Sequence, residues 1–308
     1  MKKVACLLIL LLVIFSFASC QKRNNSAVSA STLGNTNSTD TDYADESEMN
    51  FYYYFEDAYF AECVARAMGK APSESVTKEE LADFSGEISI LGYGESLAGI
   101  GHLKSIIGLS VAKCDIKEIP SEISQCQKLK RLNLLKAYDL KILPESIGQL
   151  NDLEYINVTL TSLEKIPESI GNIKKLKYLY AACTSIVTVP ESIGGCENLI
   201  ILDLHSTDIT EIPDSITKLK NLISLDLGYT KITALPENIG ALSQLVRLDL
   251  FGLNLRRLPQ STKNLVKLEY LNIYDNYNLN EEYKKWFDNE CYKCFTDPAN
   301  NKDWNSGN

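Results

Sequence analysis

From residue 106 onward, the chain repeats one pattern of apolar and polar positions. An apolar residue followed by proline occurs seven times. The first two of these prolines are 24 residues apart, and each of the next five intervals between prolines is 23 residues. Within each copy, a segment such as Leu225-Asp226-Leu227 alternates apolar and polar residues, which is typical of a short strand with one buried face. One copy cannot bury its own leucines, so neighbouring copies must stack. The pattern predicts a curved solenoid with parallel strands on its concave side.

The residues around each proline predict the other side of each copy. Proline fixes φ where the chain turns, and the acidic residue and serine of Pro190-Glu191-Ser192 favour a short helical turn. Four such turns are expected to end at a glycine: Gly148, Gly171, Gly194 and Gly240. After the strand, a polar side chain is expected to bond the backbone of a tight turn in five copies: Thr161, Thr184, Thr207, Thr230 and Asn276.

A stack of repeats exposes apolar surface at its ends unless caps cover it. Residues 51–105 are predicted to form the N-terminal cap. Apolar residues from Phe60 to Met68 follow helical spacing, and Thr77 with Glu80 forms a capping box before a second helix.

The repeats themselves are predicted over residues 106–279, in about eight copies. Residues 280–308 are predicted to form a C-terminal cap and tail. An amphipathic helix over residues 281–296 would place Trp286 and Phe287 over the last repeat.

The frame shown by LDLGYTKITALPENIGALSQL, residues 225–245, resembles the 23-residue, proline-containing class of the leucine-rich repeat family. The stretch that contains FAECVARAMGK is similar to the N-terminal cap of internalin-type bacterial repeat proteins. These resemblances imply an α/β repeat solenoid: a horseshoe with parallel concave strands, short convex helical or 3-10 turns, and helical caps at both ends. They also imply adhesion, as in other bacterial surface proteins built from such repeats.

The N-terminus predicts export. Lys2 and Lys3 precede an apolar run that is too short and too terminal to be a stable membrane span. The end of this run, Phe17-Ala18-Ser19-Cys20, resembles the lipobox of bacterial lipoproteins, which implies a signal peptide over residues 1–19 and a lipid on Cys20. The alternative is an ordinary secretory signal that leaves a soluble protein.

Residues 20–50 are predicted to be the lipidated cysteine and a disordered tether, since they are rich in Asn, Ser, Thr and Asp and nearly empty of large apolar residues.

The charge composition limits the classes of partner that the protein is expected to bind. With 31 Lys+Arg against 40 Asp+Glu, a net charge of −9 provides no excess of cations for binding nucleic acid. We therefore expect no nucleic-acid partner.

Cysteine and histidine give little support to cofactor chemistry. Two histidines and an odd number of cysteines in the mature chain favour neither a multi-histidine metal site nor a complete disulfide framework. Cys126 and Cys196 replace leucine or isoleucine of other copies, so we expect them to be buried. Cys291 and Cys294 form a CxxC pair that is structural or incidental, and a disulfide between them stays open. No cofactor and no resident metal are predicted.

Aligning the strands gives three outward columns of side chains on the concave face. The candidate ligand-binding residues in these columns are aromatic or charged: Tyr155, Tyr178, Tyr180, Asp203, His205, Asp226, Asp249, Phe251, Tyr270 and Tyr274. Exposed aromatic residues are typical of protein and glycan contact surfaces. The alternative is that tyrosine simply suits strands.

The aspartates of this set, Asp203, Asp226 and Asp249, occupy consecutive copies of one column. Carboxylates so placed would suit a divalent cation or a basic partner. The competing interpretation is that Asn or Asp fills this column throughout the chain for a structural reason. We favour the second interpretation over a metal site.

These observations together favour a non-enzymatic binding protein. We expect it to be exported, lipid-anchored to a membrane of the bacterial envelope, exposed at the surface, and to bind a protein, or a glycan, through its concave face. The alternative is an envelope scaffold that faces the periplasm and has no host ligand. Asp203, His205 and Ser206 lie close together in the sequence, but strand alternation explains their spacing without a hydrolase.

Overall fold

A computed structural model of the chain describes residues 49–280 and the backbone of residues 294–295. Ten strands form one sheet in chain order, and every neighbouring pair is parallel. The strands are β1 Glu87–Leu91, β2 Gly108–Ala112, β3 Arg131–Asn133, β4 Tyr155–Asn157, β5 Tyr178–Tyr180, β6 Ile201–Asp203, β7 Ser224–Asp226, β8 Arg247–Asp249, β9 Tyr270–Asn272 and β10 Cys294–Phe295. The prediction of a leucine-rich repeat solenoid is confirmed.

Short 3-10 turns form the convex side of the solenoid. They cover Ile100–His102, Ser121–Gln125, Glu145–Gln149, Glu168–Asn172, Glu191–Gly195, Asp214–Lys218, Ile239–Ala241 and Gln260–Asn264. Proline precedes most of them in an extended conformation, for example Pro190 with φ −69° and ψ 147°. Its carbonyl oxygen accepts the first bond of the turn, from the amide of Ile193 at 3.0 Å. The proline thus sets the turn without needing an amide hydrogen of its own.

The core lies between these two sides and continues from one repeat to the next. The central residue of each three-residue strand is buried, as are the leucines and isoleucines that flank the turns. Leu202 and Leu225, for example, stand in register on β6 and β7 and have no exposed surface. Cys126 and Cys196 are also buried among the apolar residues, as expected, and burial raises the pKa of each thiol to about 12.

In the turn after each of the strands β2 to β9, one residue adopts the left-handed conformation, and only one of these eight residues is glycine. They are Lys113, Lys136, Leu160, Cys183, Ser206, Tyr229, Gly252 and Asp275. The amide of each of the first seven donates to a carbonyl of the following repeat, as Ser206 does to Gly228 at 2.8 Å. This bond between repeats holds the turn in a conformation that side chains otherwise avoid.

The threonines beside the left-handed residues bond the backbone as the sequence predicts. The hydroxyls of Thr161, Thr184, Thr207 and Thr230 are buried and donate to the carbonyl three residues earlier, at 2.8–2.9 Å. Asn276 bonds two repeats, because its side-chain amide donates to the carbonyl of Ile273 in its own repeat and to that of Leu250 in the preceding one. Threonine therefore closes the turn within a repeat, whereas asparagine also joins two repeats.

The glycines of the convex turns have a different role from the predicted one. The turns do not end at them: Gly171 lies inside Glu168–Asn172, and its φ is not positive. An added Cβ on Gly171 would lie 2.1 Å from the carbonyl oxygen of Ser192 in the next repeat. Equivalent contacts with the following repeat occur at Gly148, Gly194 and Gly240. These glycines are needed because adjacent repeats approach each other closely.

The N-terminal cap contains three helices: α1 Phe51–Tyr54, α2 Ala58–Met68 and α3 Lys78–Asp83. The expected capping box of α3 is present between Thr77 and Glu80. In the described part of the chain, no helix has the length and apolar character needed to cross a membrane.

The cap begins slightly earlier than the sequence predicts. Met49 packs against the core and accepts a backbone hydrogen bond from Val76, and Asn50 caps α1. The sequence predicts that both residues belong to the tether, whereas the structure places them in the folded domain.

The helix predicted over residues 281–296 is wrong for residues 294–295. Cys294 and Phe295 are not helical, because they form β10 and pair with Leu271 and Asn272 of β9. An unpaired edge strand leaves backbone groups without partners, and the added strand provides them. Trp286, Phe287 and Cys291 lie outside the described residues.

The close approach of the convex turns generates a stability prediction. We expect Gly171→Ala to lower the free energy of unfolding by about 2 kcal/mol, because the new methyl group overpacks against Ser192. Asn172→Ala, at the exposed end of the same turn, is the matched control and should have little effect. Thermal unfolding followed by circular dichroism measures both, and equal midpoints would contradict the close-approach argument.

Candidate functional site

The strand register brings the predicted concave columns together. Asp203, Asp226 and Asp249 stand side by side on β6, β7 and β8, and Tyr180 of β5 is the neighbour of Asp203. The flanking column places Tyr155, Tyr178, Arg247 and Tyr270 in equivalent positions on their strands. The predicted alignment of these two columns is therefore correct.

Asn and Asp recur in the middle column because their side chains close the turn after the strand. One carboxylate oxygen of Asp203 accepts the backbone amide of His205 at 3.1 Å, and Asp226 accepts that of Gly228 at 3.0 Å. The amide oxygen of Asn157 accepts from Thr159 in the same way, at 2.9 Å. Asn and Asp thus serve at this position as hydrogen-bond acceptors, a role that does not require a negative charge.

Arg247 neutralises one end of the aspartate row, which we define as Asp203, Asp226 and Asp249. Its guanidinium lies 2.7 Å from Asp249 and 3.7 Å from Asp226. The same group lies 4.0 Å above the centre of the Tyr270 ring, whose hydroxyl donates to Asp249 at 3.2 Å. Asp249 is buried and fully paired by these contacts. Arg247 was not among the predicted site residues, although it lies in a flanking column.

The other two aspartates bind protons more readily than an exposed carboxyl does. Burial raises the pKa of Asp203 above its ordinary value. Burial, together with the charges of Asp249 and Asp203, raises the pKa of Asp226 to about 6. The imidazole Nδ1 of His205 lies 3.8 Å from Asp226. One arginine therefore faces three carboxylates, and the surplus negative charge lies toward β6.

Next to Asp203 lies the tyrosine cluster, formed by Tyr155, Tyr178 and Tyr180. The ring centre of Tyr155 is 6.3 Å from that of Tyr178 and 5.6 Å from that of Tyr180. Burial and the neighbouring groups raise the pKa of Tyr180 to about 12, so its hydroxyl stays protonated. All three rings are half-buried, which leaves apolar and hydroxyl edges available at the surface.

A second aromatic group, the aromatic edge, runs along the third column and the turn beside it. It contains His205, Tyr229, Phe251 and Tyr274, with ring centres 5.5, 4.6 and 5.6 Å apart in that order. Sequence reasoning missed Tyr229, which is 54% exposed and has φ 53°. The sequence could have indicated Tyr229, because a bulky aromatic residue is unusual at a turn position that favours glycine.

The arrangement does not resemble a hydrolytic triad. Asp203 bonds the backbone amide of His205, whereas the imidazole of His205 faces Asp226 and Tyr229. Ser206 occupies the left-handed turn and donates its amide to Gly228. Within residues 49–280, no group of three His, Cys, Asp or Glu side chains is arranged to hold a metal ion. The face offers aromatic rings, hydroxyls and carboxylates, which are suited to binding.

Comparisons with known proteins agree with this fold. Residues 197–255 match the family model for the leucine rich repeat. No curated protein sequence matches the chain. A leucine-rich repeat protein of Leptospira interrogans is 34% identical, with a TM-score of 0.59 over 64% of this chain and 50% of its own, so this chain spans half the length of that protein.

Two Listeria monocytogenes structures are similar in fold. Internalin C2 is 20% identical, with a TM-score of 0.61 over 72% of this chain and 95% of its own. InlP is 24% identical, with a TM-score of 0.61 over 73% of this chain and 65% of its own. The chain thus carries a leucine-rich repeat domain similar to those of bacterial repeat proteins.

The surplus charge of the aspartate row predicts how stability depends on pH. The pKa of Asp226 rises from an ordinary 3.8 to about 6 on folding, so the folded chain binds more protons between these values. Stability should therefore rise as pH falls from about 7 to about 4. Asp226→Asn keeps the acceptor for Gly228 and removes the charge. We expect it to raise the free energy of unfolding near pH 7 by about 1 kcal/mol.

Asp249→Asn is the matched control for this prediction. It also keeps a turn acceptor, but it removes the carboxylate that pairs with Arg247, so we expect it to lower stability near neutral pH. Thermal midpoints across the pH range measure both variants. A lower midpoint for Asp226→Asn near pH 7 would show that the row is not in surplus charge.

Proposed function

We propose that this protein is a lipid-anchored binding protein of the bacterial cell surface, which holds a partner protein on the concave face of its repeats. One observation carries the proposal: the concave face bears aromatic and charged side chains that the repeat does not require. The middle column needs only an acceptor, yet it contains Tyr180 and three carboxylates. The tyrosine cluster and aromatic edge add six rings and one imidazole to this surface.

These side chains suit a protein partner. Tyrosine and arginine provide large contact areas and directional hydrogen bonds, and they are enriched where interfaces bind most strongly. The parallel sheet holds them on a rigid backbone, so little conformational entropy is lost when a partner binds. A glycan is a second ligand that such rings accommodate. The proposed role is that of a non-enzymatic binding protein.

The anchor is proposed from the sequence. The lipobox-like Phe17-Ala18-Ser19-Cys20 would give an acylated Cys20, and a coil of about 30 residues would reach roughly 30 Å. That reach would carry the solenoid clear of the lipid headgroups. A net charge of −9 favours attachment by acyl chains over a basic patch.

Anchoring and orientation are tested in native cells. We expect a radioactive fatty acid to label the wild-type protein, and Cys20→Ser to abolish labelling and release the protein from the membrane fraction. Added protease should cleave the repeat domain on intact cells while a periplasmic marker survives. Cleavage only after permeabilisation would instead support the periplasm-facing scaffold.

Partner binding is tested with a photoreactive amino acid placed at two positions of one repeat. Ile201 lies on the concave face and Asp214 on the convex turn. We expect crosslinks to a protein from Ile201 and not from Asp214. Tyr178→Ala with Tyr180→Ala should lower the Ile201 crosslink at least tenfold, which corresponds to about 1.4 kcal/mol.

The matched control is Tyr178→Phe with Tyr180→Phe, which keeps the rings and the packing. Circular dichroism checks that both double variants fold. Crosslinking that is equal from both faces, or unchanged in the alanine variant, would place the partner elsewhere.

A further inference from the structure

A groove of about 500 Å³ crosses the turns that follow β7, β8 and β9. The first and third turns contribute side chains that include Tyr229 and Tyr277, and the middle turn contributes Gly252, Leu253 and Asn254. The volume is in the range of sites that bind small ligands, about 300–1,000 Å³. The groove shares only Tyr229 with the concave surface proposed for the partner protein.

Gly252 keeps the middle of this groove free of a side chain. The equivalent left-handed position holds a side chain in the neighbouring turns, for example Ser206 and Asp275. A Cβ added to Gly252 would lie 3.0 Å from the ring of Tyr229. The glycine therefore allows the ring of Tyr229 to lie against the turn of the next repeat.

The two aromatic rings of the groove are positioned by contacts within the protein. The ring of Tyr229 meets that of Phe251 edge to face, with their centres 4.6 Å apart. The hydroxyl of Tyr277 donates to the carboxylate of Asp275. Both tyrosines are nevertheless exposed, and the left-handed backbone of Tyr229 is costly for a bulky residue. Burial in the core does not repay that cost, which points to a role in binding.

The lining favours a sugar over a peptide. Leu253 is the only wholly aliphatic side chain among the nine lining residues, and it is buried. The others include two phenol rings, a carboxylate, a carboxamide and two hydroxyls. A pyranose ring offers C–H groups to aromatic rings and hydroxyls to polar side chains. A peptide cannot add a strand here, because β7, β8 and β9 are each paired on both sides.

The charges beside the groove favour a neutral sugar. Lys231 pairs with Asp208 of the preceding repeat at 2.7 Å, and Asp275 accepts the hydroxyl of Tyr277 with one oxygen. The second oxygen of Asp275 can accept a sugar hydroxyl, and the amide nitrogen of Asn254 can donate to another. Together with a net charge of −9, the carboxylate of Asp275 disfavours an anionic sugar.

We propose that this groove binds one pyranose unit of a neutral glycan whose hydroxyls are equatorial. Tyr229 and Tyr277 contact the C–H groups of the sugar ring, and Asp275 and Asn254 bond its hydroxyls. Equatorial hydroxyls leave axial hydrogens on both faces of the sugar, which suits aromatic rings that come from two different repeats. The site goes beyond the proposed function, which concerns a protein partner, and does not rest on it.

The test uses the full chain as the cell makes it, with methyl β-D-glucopyranoside as the probe. Saturation-transfer NMR detects which ligand protons contact the protein. We expect transfer mainly to the axial ring protons, with a Kd of about 1–10 mM, a value suited to a single sugar ring. Glycerol has hydroxyls but no ring, and it should receive no saturation. No transfer to the glucoside, or equal transfer to glycerol, would overturn the inference.

Tyr277→Ala removes one ring from the groove, and Tyr138→Ala is its matched control. Each tyrosine is exposed and stands two residues after the left-handed residue of its turn, which is Asp275 or Lys136. Tyr138 is not part of the groove. We expect at least fivefold weaker binding of the glucoside by Tyr277→Ala and unchanged binding by Tyr138→Ala. Equal binding by the two variants would contradict the proposed site.

Gly252→Ser fills the middle of the groove without removing a ring. Serine already occupies this left-handed position at Ser206, and the new Cβ would press on the ring of Tyr229. We expect at least tenfold weaker binding of the glucoside. Lys113→Ser makes the same replacement in the turn after β2 and should leave binding unchanged. Circular dichroism checks folding, and unchanged binding by folded Gly252→Ser would overturn the inference. If Gly252→Ser does not fold, Tyr277→Ala still decides.

N-acetyl-leucine amide is the competing probe, because it carries an apolar peptide side chain. We expect it to bind more weakly than the glucoside. Saturation of this probe at a lower concentration than the glucoside, lost in Tyr277→Ala, would make the groove a peptide site and overturn the inference.

Failure of this inference can be told from failure of the proposed function. If the glucoside does not bind but the Ile201 crosslink still depends on Tyr178 and Tyr180, the sugar site fails and the proposed function stands. If the glucoside binds as expected and no crosslink forms, the proposed function fails and the sugar site stands.

Discussion

Each repeat completes its hydrogen bonding and its core only on the repeat that follows. The amide of the left-handed residue after most strands donates to a carbonyl one repeat further on, and the central leucines of neighbouring strands are buried side by side. On the convex side, glycines let the backbones approach. The concave side chains therefore stand on a backbone that is fixed mainly by contacts elsewhere, and only the Asn and Asp side chains of the middle column also bond the turn after the strand.

Because the same contacts build every repeat, the sequence predicts most of the fold. Side chains point to alternate faces along a strand, and the repeat recurs every 23 residues. The register of Asp203, Asp226 and Asp249 therefore follows from aligning the copies. The caps follow from helical spacing and from the capping box at Thr77. Such features depend on one repeat or one helix at a time.

What the sequence did not predict depends on contacts between repeats. The role of Gly171 comes from its distance to Ser192, which no single copy contains. Tyr229 leaves the strand alternation because its backbone is left-handed. Residues 294–295 pair with β9, and the amphipathic pattern of the sequence does not reveal this contact with another repeat. The pairing of Arg247 with two aspartates needed distances between strands.

The acceptor position at the end of the strand has an evolutionary consequence. Asparagine and aspartate both close the turn there, as Asn157 and Asp203 do. Their codons differ by one nucleotide, so in a repeat that has either residue at this position a single base change adds or removes one negative charge while the turn keeps its acceptor. A solenoid built in this way can change which ligands it prefers while its fold stays the same, and no intermediate along that path has to misfold.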